Sequence, residues 1–540
     1  MMPKPRFALL LLLVLLVAAS AQAQRPEELD GFARELDEIR SALRIPAMSA
    51  AVVVDQELIW AAGFGDADID LGIAATPETA YQLASVTKPV AATLLMQLVE
   101  EGVLSLDDLV STYVVGLDGS PDVTVRHLLT HTSEGVPGLR YVYNGNRYSV
   151  LSDVMEAATG TPFAGLLEER ILRPAGMAHT APNDPACGFP GAPGVAPRDP
   201  AYAEAYAALA TPYQLNRDFE IVRGAYPTPF SAAAGLISTV LDLARFDVAL
   251  DRGALVSPQT REVMFTPAVS IGGRELPYGL GWTTHVHEGI RLVWHGGRWS
   301  PSISALYVKM PDLGLTFIAL ANTDNLSTPY PLSDSDVLYS TAALAFFKTF
   351  VVPAEYGVRV PRIDWQAGED ELVAALNAID DPNVRRILER ELWSYRQAFG
   401  SVGRTDLVLQ LQRVHHQAFP DVQPDALDTY LFGGFAAYPP GSEGLAASDV
   451  DVGRFAGRYR LDPDLEDAPV PAEVTIVAAP GHLVGVDPGG GCITMVPYAA
   501  HRFRVPTSPG LTIDFLLEGH RIVGMTLSGG GTELPYRRLE

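Results

Sequence analysis

Between Ala84 and Glu101 the chain carries no glycine, while Leu83, Val90, Leu94, Leu95, Leu98 and Val99 recur at helical spacing and Gly102 follows as a stop. Apolar residues on nearly every turn demand burial, so this segment predicts a helix inside a large core rather than on a surface. Ser85 and Lys88 stand at its start, one turn apart, so their side chains leave the helix in the same direction. A helix N-terminus adds positive partial charge and free backbone N–H groups beside that serine.

Composition sharpens the pair. Lys4, Lys88, Lys309 and Lys348 are the only lysines among 540 residues, and the chain otherwise uses arginine for its cations. Arginine stays protonated, whereas a desolvated lysine can lose its proton and act as a base. The balance of 39 Lys plus Arg against 64 Asp plus Glu gives a net charge of −25, which repels phosphate backbones and makes nucleic acid a poor partner.

Around the central helix, Met48–Gly65 reads as a hairpin hinged at Asp55-Gln56, and Glu27–Leu43 as a leading helix. Further helices are expected at Val123–Leu129, Tyr148–Ala158 and Ser238–Leu250, three strands within Tyr278–Asn322, and a closing helix over Asp336–Phe350. Helices packed on antiparallel strands predict an α+β fold. Beyond it, Glu369–Phe419 is charged and helical, Pro439–Ser448 reads as a linker, and short alternating runs after Val452 predict a small all-β module.

Lys4 and Arg6, the apolar run Phe7–Ala19 and Ala21-Gln22-Ala23 predict a signal peptide over 1–23, and hence a secreted or periplasmic protein without a membrane anchor. The expected division is 24–352 for the α+β domain, 353–448 for a helical connector and linker, and 449–540 for the β module. Cys187 and Cys492 fall in different divisions and are read as unpaired thiols, an interdomain bridge being the alternative.

Tyr81-Gln-Leu-Ala-Ser85-Val-Thr-Lys88, with Glu101-Gly-Val-Leu-Ser-Leu-Asp-Asp108 after it, resembles the first motif of class C β-lactamases and their relatives among penicillin-binding proteins, D-aminopeptidases, D-alanyl carboxypeptidases and esterases. Val123–His131, Gly235–Phe246, Tyr278-Gly-Leu-Gly-Trp282 and His295-Gly296-Gly297 continue the resemblance in order. It implies a β-lactamase/transpeptidase-like domain, an antiparallel sheet flanked by helices with a helical subdomain, and a lipocalin-like module over the last 90 or so residues.

The resemblance further implies that Ser85 is the nucleophile and Lys88 the base. Tyr143 is the catalytic phenol, preferred to Tyr141 by its spacing from Tyr148. The backbone N–H groups of Ser85 and Arg298 form the oxyanion hole. His295 replaces the charge that a lysine supplies in β-lactamases. The family's second motif places Asn two residues after its tyrosine. Here Gly145 stands there, with Asn144 and Asn146 on either side as replacements. Gly296 and Gly297 would let a strand edge approach substrate. The expected substrate is a small ester, peptide or β-lactam-like molecule, with esters and D-amino-acid peptides favoured because Gly296 has no hydroxyl. No cofactor is implied, and oligomeric state stays open.

Three other readings compete. An α/β-hydrolase needs a Gly-x-Ser-x-Gly elbow, which the sequence lacks. His285-Val-His287-Glu288 and His415-His416 have metal-ligand spacing but no evident third ligand, so no metal is expected. A non-catalytic protein binding penicillin or cell-wall fragments would share the scaffold, but has no use for an activated serine.

Overall fold

A computed structural model describes residues 27–420 and 451–539, apart from 115–120, 184–201, 217, 227–229, 331, 333–335 and, near the C-terminus, 464–471, 480–481, 487–491, 500, 505–511, 520 and 530–531. The expected signal peptide, Cys187 and the Pro439–Ser448 linker lie outside the described residues. No described helix is long and apolar enough to cross a membrane. The chain divides into two compact units, one of residues 1–214 and 223–360, the other of 215–222 and 361–540.

The first unit is built on a seven-stranded antiparallel sheet. Its strands are β1 (Ala47–Val54), β2 (Glu57–Asp68), β3 (Ile73–Ala74), β4 (Thr283–His287), β5 (Ile290–Trp299), β6 (Ile303–Met310) and β7 (Leu315–Ala321), in the order β3-β2-β1-β7-β6-β5-β4. β1 and β2 join through Asp55 and Gln56, both at positive φ, the turn that suits a two-residue hairpin. β6 and β7 are buried along their whole length, as expected of strands covered on both faces.

On one face, α1 (residues 27–42) and α6 (Thr341–Phe346) meet the sheet through a cluster of Phe32, Trp60, Phe317, Phe346 and Phe350. On the other lie α2 (Thr87–Glu100), α3 (Val125–Leu129), α4 (Gly145–Thr159) and α5 (Val240–Asp251). α5 packs against β1, β2 and β7 and carries Asp247 beneath Lys309 of β6. That lysine is fully buried, and Asp251 at 3.0 Å is its second carboxylate partner. The α+β expectation is met.

Local details differ. The Tyr278–Asn322 segment holds four strands rather than three, because β4 is a polar edge strand, Thr-Thr-His-Val-His, that lacks an apolar signature. Helices expected to begin at Val123 and Ser238 begin two residues later, after Thr124 and Thr239, whose side chains cap them. The closing helix starts at Thr341, and the residues from Val337 to Tyr339 form a 3₁₀ turn.

In the second unit, α7 (Glu369–Asn377), α8 (Pro382–Ser401) and α9 (Thr405–Ala418) account for the charged helical stretch. The C-terminal residues form a closed barrel of eight antiparallel strands, β8 (Gly457–Leu461), β9 (Glu473–Ala479), β10 (His482–Val486), β11 (Cys492–Ala499), β12 (Arg502–Arg504), β13 (Thr512–Glu518), β14 (Arg521–Gly529) and β15 (Thr532–Leu539). β8 closes it by pairing with both β9 and β15. Phe455, Tyr459, Phe503 and Phe515 fill the interior edge to face, a core separate from that of the first unit.

Candidate active site

Ser85 sits in a single 3₁₀ turn, Ala84–Val86, that feeds directly into α2. The turn is pinned from both sides. Leu83 N donates to Leu236 O at 2.8 Å, and Tyr81–Gln82 pairs with Ile237–Ser238. Ala84 is held at φ 45°, a left-handed conformation that a residue with a Cβ adopts only where its surroundings impose it. Ser85 is thereby partly exposed while its neighbours on both sides are buried.

Lys88 is 1% exposed. Its Nζ donates to Ser85 Oγ at 3.0 Å and to the carbonyl of Ala233 at 2.9 Å, and the rings of Tyr143 and Tyr148 lie 4.9 and 5.3 Å away. Burial pushes the lysine down to about 7, because an ammonium there loses its hydration. A neutral amine beside a serine hydroxyl is therefore available near neutral pH.

Tyr143 packs against His131 with ring centroids 4.3 Å apart and planes tilted by 35°, and its ring lies 6.2 Å from that of His295. Tyr141 instead stacks on Tyr278 at 5.8 Å. Of the two tyrosines, Tyr143 is thus the one whose ring the structure sets over the lysine. Burial raises Tyr148 and Tyr278 well above the ordinary phenol range, so both stay protonated at neutral pH.

His295 is buried on β5. Its Nδ1 lies 2.7 Å from Gly296 O, an acceptor, so Nδ1 carries the proton and Nε2, 2.9 Å from Tyr278 Oη, accepts from the phenol. Burial, reinforced by Lys88, pushes His295 down to about 3. The imidazole is neutral, which corrects the expectation that it replaces a lysine's charge: a buried site beside another potential cation disfavours a second one.

The glycines of the third motif serve packing. A Cβ on Gly297 would stand 2.2 Å from the carbonyl oxygen of Leu83, so only glycine lets β5 lie directly against the Ser85 turn. A Cβ on Gly296 would meet the Leu332 side chain at 3.1 Å. Arg298, next along the strand, is exposed. β4 pairs with β5 only as far as Trp294, so the ladder to β4 ends before His295–Trp299.

At the second motif, Asn144 is the N-cap of α4: its Oδ1 accepts from Arg147 N at 3.0 Å and its Nδ2 donates to Glu134. Asn146 is exposed in the first turn of α4. Gly145 faces open space, with nothing within 4 Å of where a Cβ would stand.

Two residues were not singled out from sequence. His131, at φ 53° and buried, accepts from Asn144 N through Nδ1 at 3.2 Å, which leaves the proton on Nε2; that atom has no partner among the described residues. Burial holds His131 neutral, well below its usual range. Tyr278 orients His295. Both are contacts between distant segments, and only the resemblance of the Val123–His131 and Tyr278–Trp282 stretches offered a hint of either.

A β-lactamase family model matches residues 30–334. Penicillin-binding protein 4* of Bacillus subtilis (strain 168) is 25% identical over 337 residues, covering 55% of this chain and 72% of the relative. Esterase EstB of Burkholderia gladioli is 31% identical over 185 residues, 25% of this chain and 46% of the esterase. The octameric penicillin-binding protein homologue from Pyrococcus abyssi superposes with a TM-score of 0.52 at 19% identity, covering 94% of this chain and 99% of the other, a likeness of fold. With a family match over more than half of its 540 residues, the chain belongs to the β-lactamase family, whose relatives include penicillin-binding proteins and esterases.

Proposed function

We propose that the protein hydrolyses ester or amide bonds through an acyl-enzyme on Ser85. The observation that carries this reading is the buried Lys88 amine, 3.0 Å from Ser85 Oγ and titrating near 7. Lys88 takes the hydroxyl proton as Ser85 attacks the carbonyl carbon, and the carbonyl oxygen becomes an oxyanion held by the backbone N–H groups of Ser85 and Arg298. Tyr143, whose ring lies over Lys88, passes the proton to the leaving group as the scissile bond breaks. Water, deprotonated by the same pair, then cleaves the acyl ester and frees Ser85.

Short esters and D-amino-acid peptides fit better than β-lactams. A β-lactam brings a carboxylate, and here His295 is neutral, Gly296 has no hydroxyl and Gly145 has no amide. A lost hydrogen bond to a charged group is worth about 1.5–3 kcal/mol, roughly ten- to hundredfold in rate. The 31% identity to an esterase supports the same direction.

A fluorophosphonate probe should add its mass to Ser85 in the wild type and not in Ser85→Ala, which should also abolish turnover while folding normally. A panel of p-nitrophenyl esters, D-alanyl peptides and a chromogenic cephalosporin should rank esters above the cephalosporin by at least tenfold. No adduct on Ser85 would favour a binding protein, and a cephalosporin turned over as fast as the esters would refute the substrate assignment.

A further inference from the structure

On β4, His285 and His287 occupy alternate positions and so share one face of the sheet's edge. Asp336, far along the sequence, arrives beside them from the segment ahead of α6. His285 Nε2 lies 3.8 Å and His287 Nδ1 3.5 Å from the same oxygen, Asp336 Oδ2, and the three atoms fall within 4.8 Å of one another. We propose that His285, His287 and Asp336 form a binding site for a divalent transition-metal ion of the Zn²⁺ type.

The distances separate this arrangement from a direct hydrogen bond and leave room for an ion between the three groups. A hydrogen bond between imidazole and carboxylate would draw nitrogen and oxygen to about 2.7–3.2 Å, and both separations are longer. A tetrahedral ion with bonds of about 2.0–2.1 Å places its ligand atoms roughly 3.4 Å apart, near the 3.5 and 3.8 Å that separate the two imidazole nitrogens from Asp336 Oδ2. The carboxylate's other oxygen accepts from Leu338 N at 2.9 Å, which fixes the group with Oδ2 towards the imidazoles. The His287 ring is set edge to face against Phe347, with centroids 5.6 Å apart. Neighbouring Glu288 is directed elsewhere, accepting from Tyr356 Oη at 2.7 Å.

Two imidazoles and one carboxylate suit Zn²⁺, Ni²⁺ or Co²⁺, whereas Mg²⁺ and Ca²⁺ prefer oxygen ligands. His285 is 43% exposed in its side chain while His287 and Asp336 are 18% and 12%, so the cluster opens to solvent on one side, where water completes the coordination. Such an ion would tie the last strand of the sheet to the segment leading into α6. It would thereby secure the outermost strand of the sheet.

The test uses the full-length, untagged protein after dialysis against chelator. Calorimetric titration with Zn²⁺ should show one equivalent bound per chain with a Kd in the micromolar range or tighter, and the melting temperature should rise by several degrees. His285→Gln, His287→Gln and Asp336→Asn should each weaken binding at least tenfold, and Mg²⁺ at equal concentration should produce no shift. The polar replacements sit on exposed or half-buried positions, and circular dichroism checks that they fold. Binding that persists in the His285→Gln/His287→Gln double variant, or no stoichiometric binding by the wild type, would overturn the proposal.

Discussion

At the scale of single residues, the site rests on one amine kept out of water. If Lys88 were only a cation at a helix start, Arg would replace it at little cost. Arg cannot give up its proton, and general-base catalysis contributes about 10²- to 10⁴-fold, so Lys88→Arg should slow acylation of Ser85 by that factor in stopped-flow measurements. The same burial sets the pH response. With Lys88 titrating near 7, kcat/KM for ester hydrolysis should fall as pH drops below that value. Stability carries the matching sign. Between about 7 and the ordinary value of 10.5, the unfolded chain holds a proton that the folded one does not, so stability rises with pH across that window and the full penalty of a buried ammonium applies below it. Lys88→Met has no such slope, so its melting temperature relative to wild type should be higher at pH 6 than at pH 10. Equal differences at both would show that the amine is not desolvated. Ser85 and Lys88 were legible because one helical turn brings them together. His131 and Tyr278 were not, because they act through contacts to Asn144 and His295 that spacing cannot reveal.

At the scale of elements, the decisive contact is β5 against the Ser85 turn. Gly297→Ala drives a methyl group to 2.2 Å from the Leu83 carbonyl, so strand and turn must separate. Overpacking of this kind costs about 1–3 kcal/mol, and because the displaced atoms flank Ser85, the proposed nucleophile, kcat should fall well beyond what stability explains. Gly145→Ala is the control. Its Cβ would meet nothing within 4 Å and it lies in the first turn of α4, so relief of glycine's backbone freedom should add about 0.5–1 kcal/mol in chemical denaturation. Elements with strong periodicity were readable: the β1–β2 hairpin, α2 and the helices around it stand where the pattern places them, to within a few residues at their ends. β4 was missed because a polar edge strand has no core face to announce it. The third partner of His285 and His287 was missed for a related reason, since Asp336 comes from a different element and joins them only through the fold.

At the scale of the whole molecule, two units with separate cores should not melt as one. Differential scanning calorimetry is expected to resolve at least two transitions, and a single transition whose calorimetric and van't Hoff enthalpies agree would contradict this. The α+β body and the all-β module were both visible in the sequence through changes of texture, alternating runs replacing helical ones after Val452. Closure of the barrel was less visible, because it depends on β8 meeting β15, a pairing between the two ends of the module. The lysines give the folded protein an unusual chemical surface. Lys88, Lys309 and Lys348 are 1%, 1% and 5% exposed, so the described residues offer no lysine amine to a reagent in solution. An amine-acylating label should therefore mark these three only as fast as the structure opens around them. Read peptide by peptide, the label becomes a clock for breathing, with Lys309 timing the departure of α5 from the sheet and Lys88 timing the opening of the turn that carries Ser85.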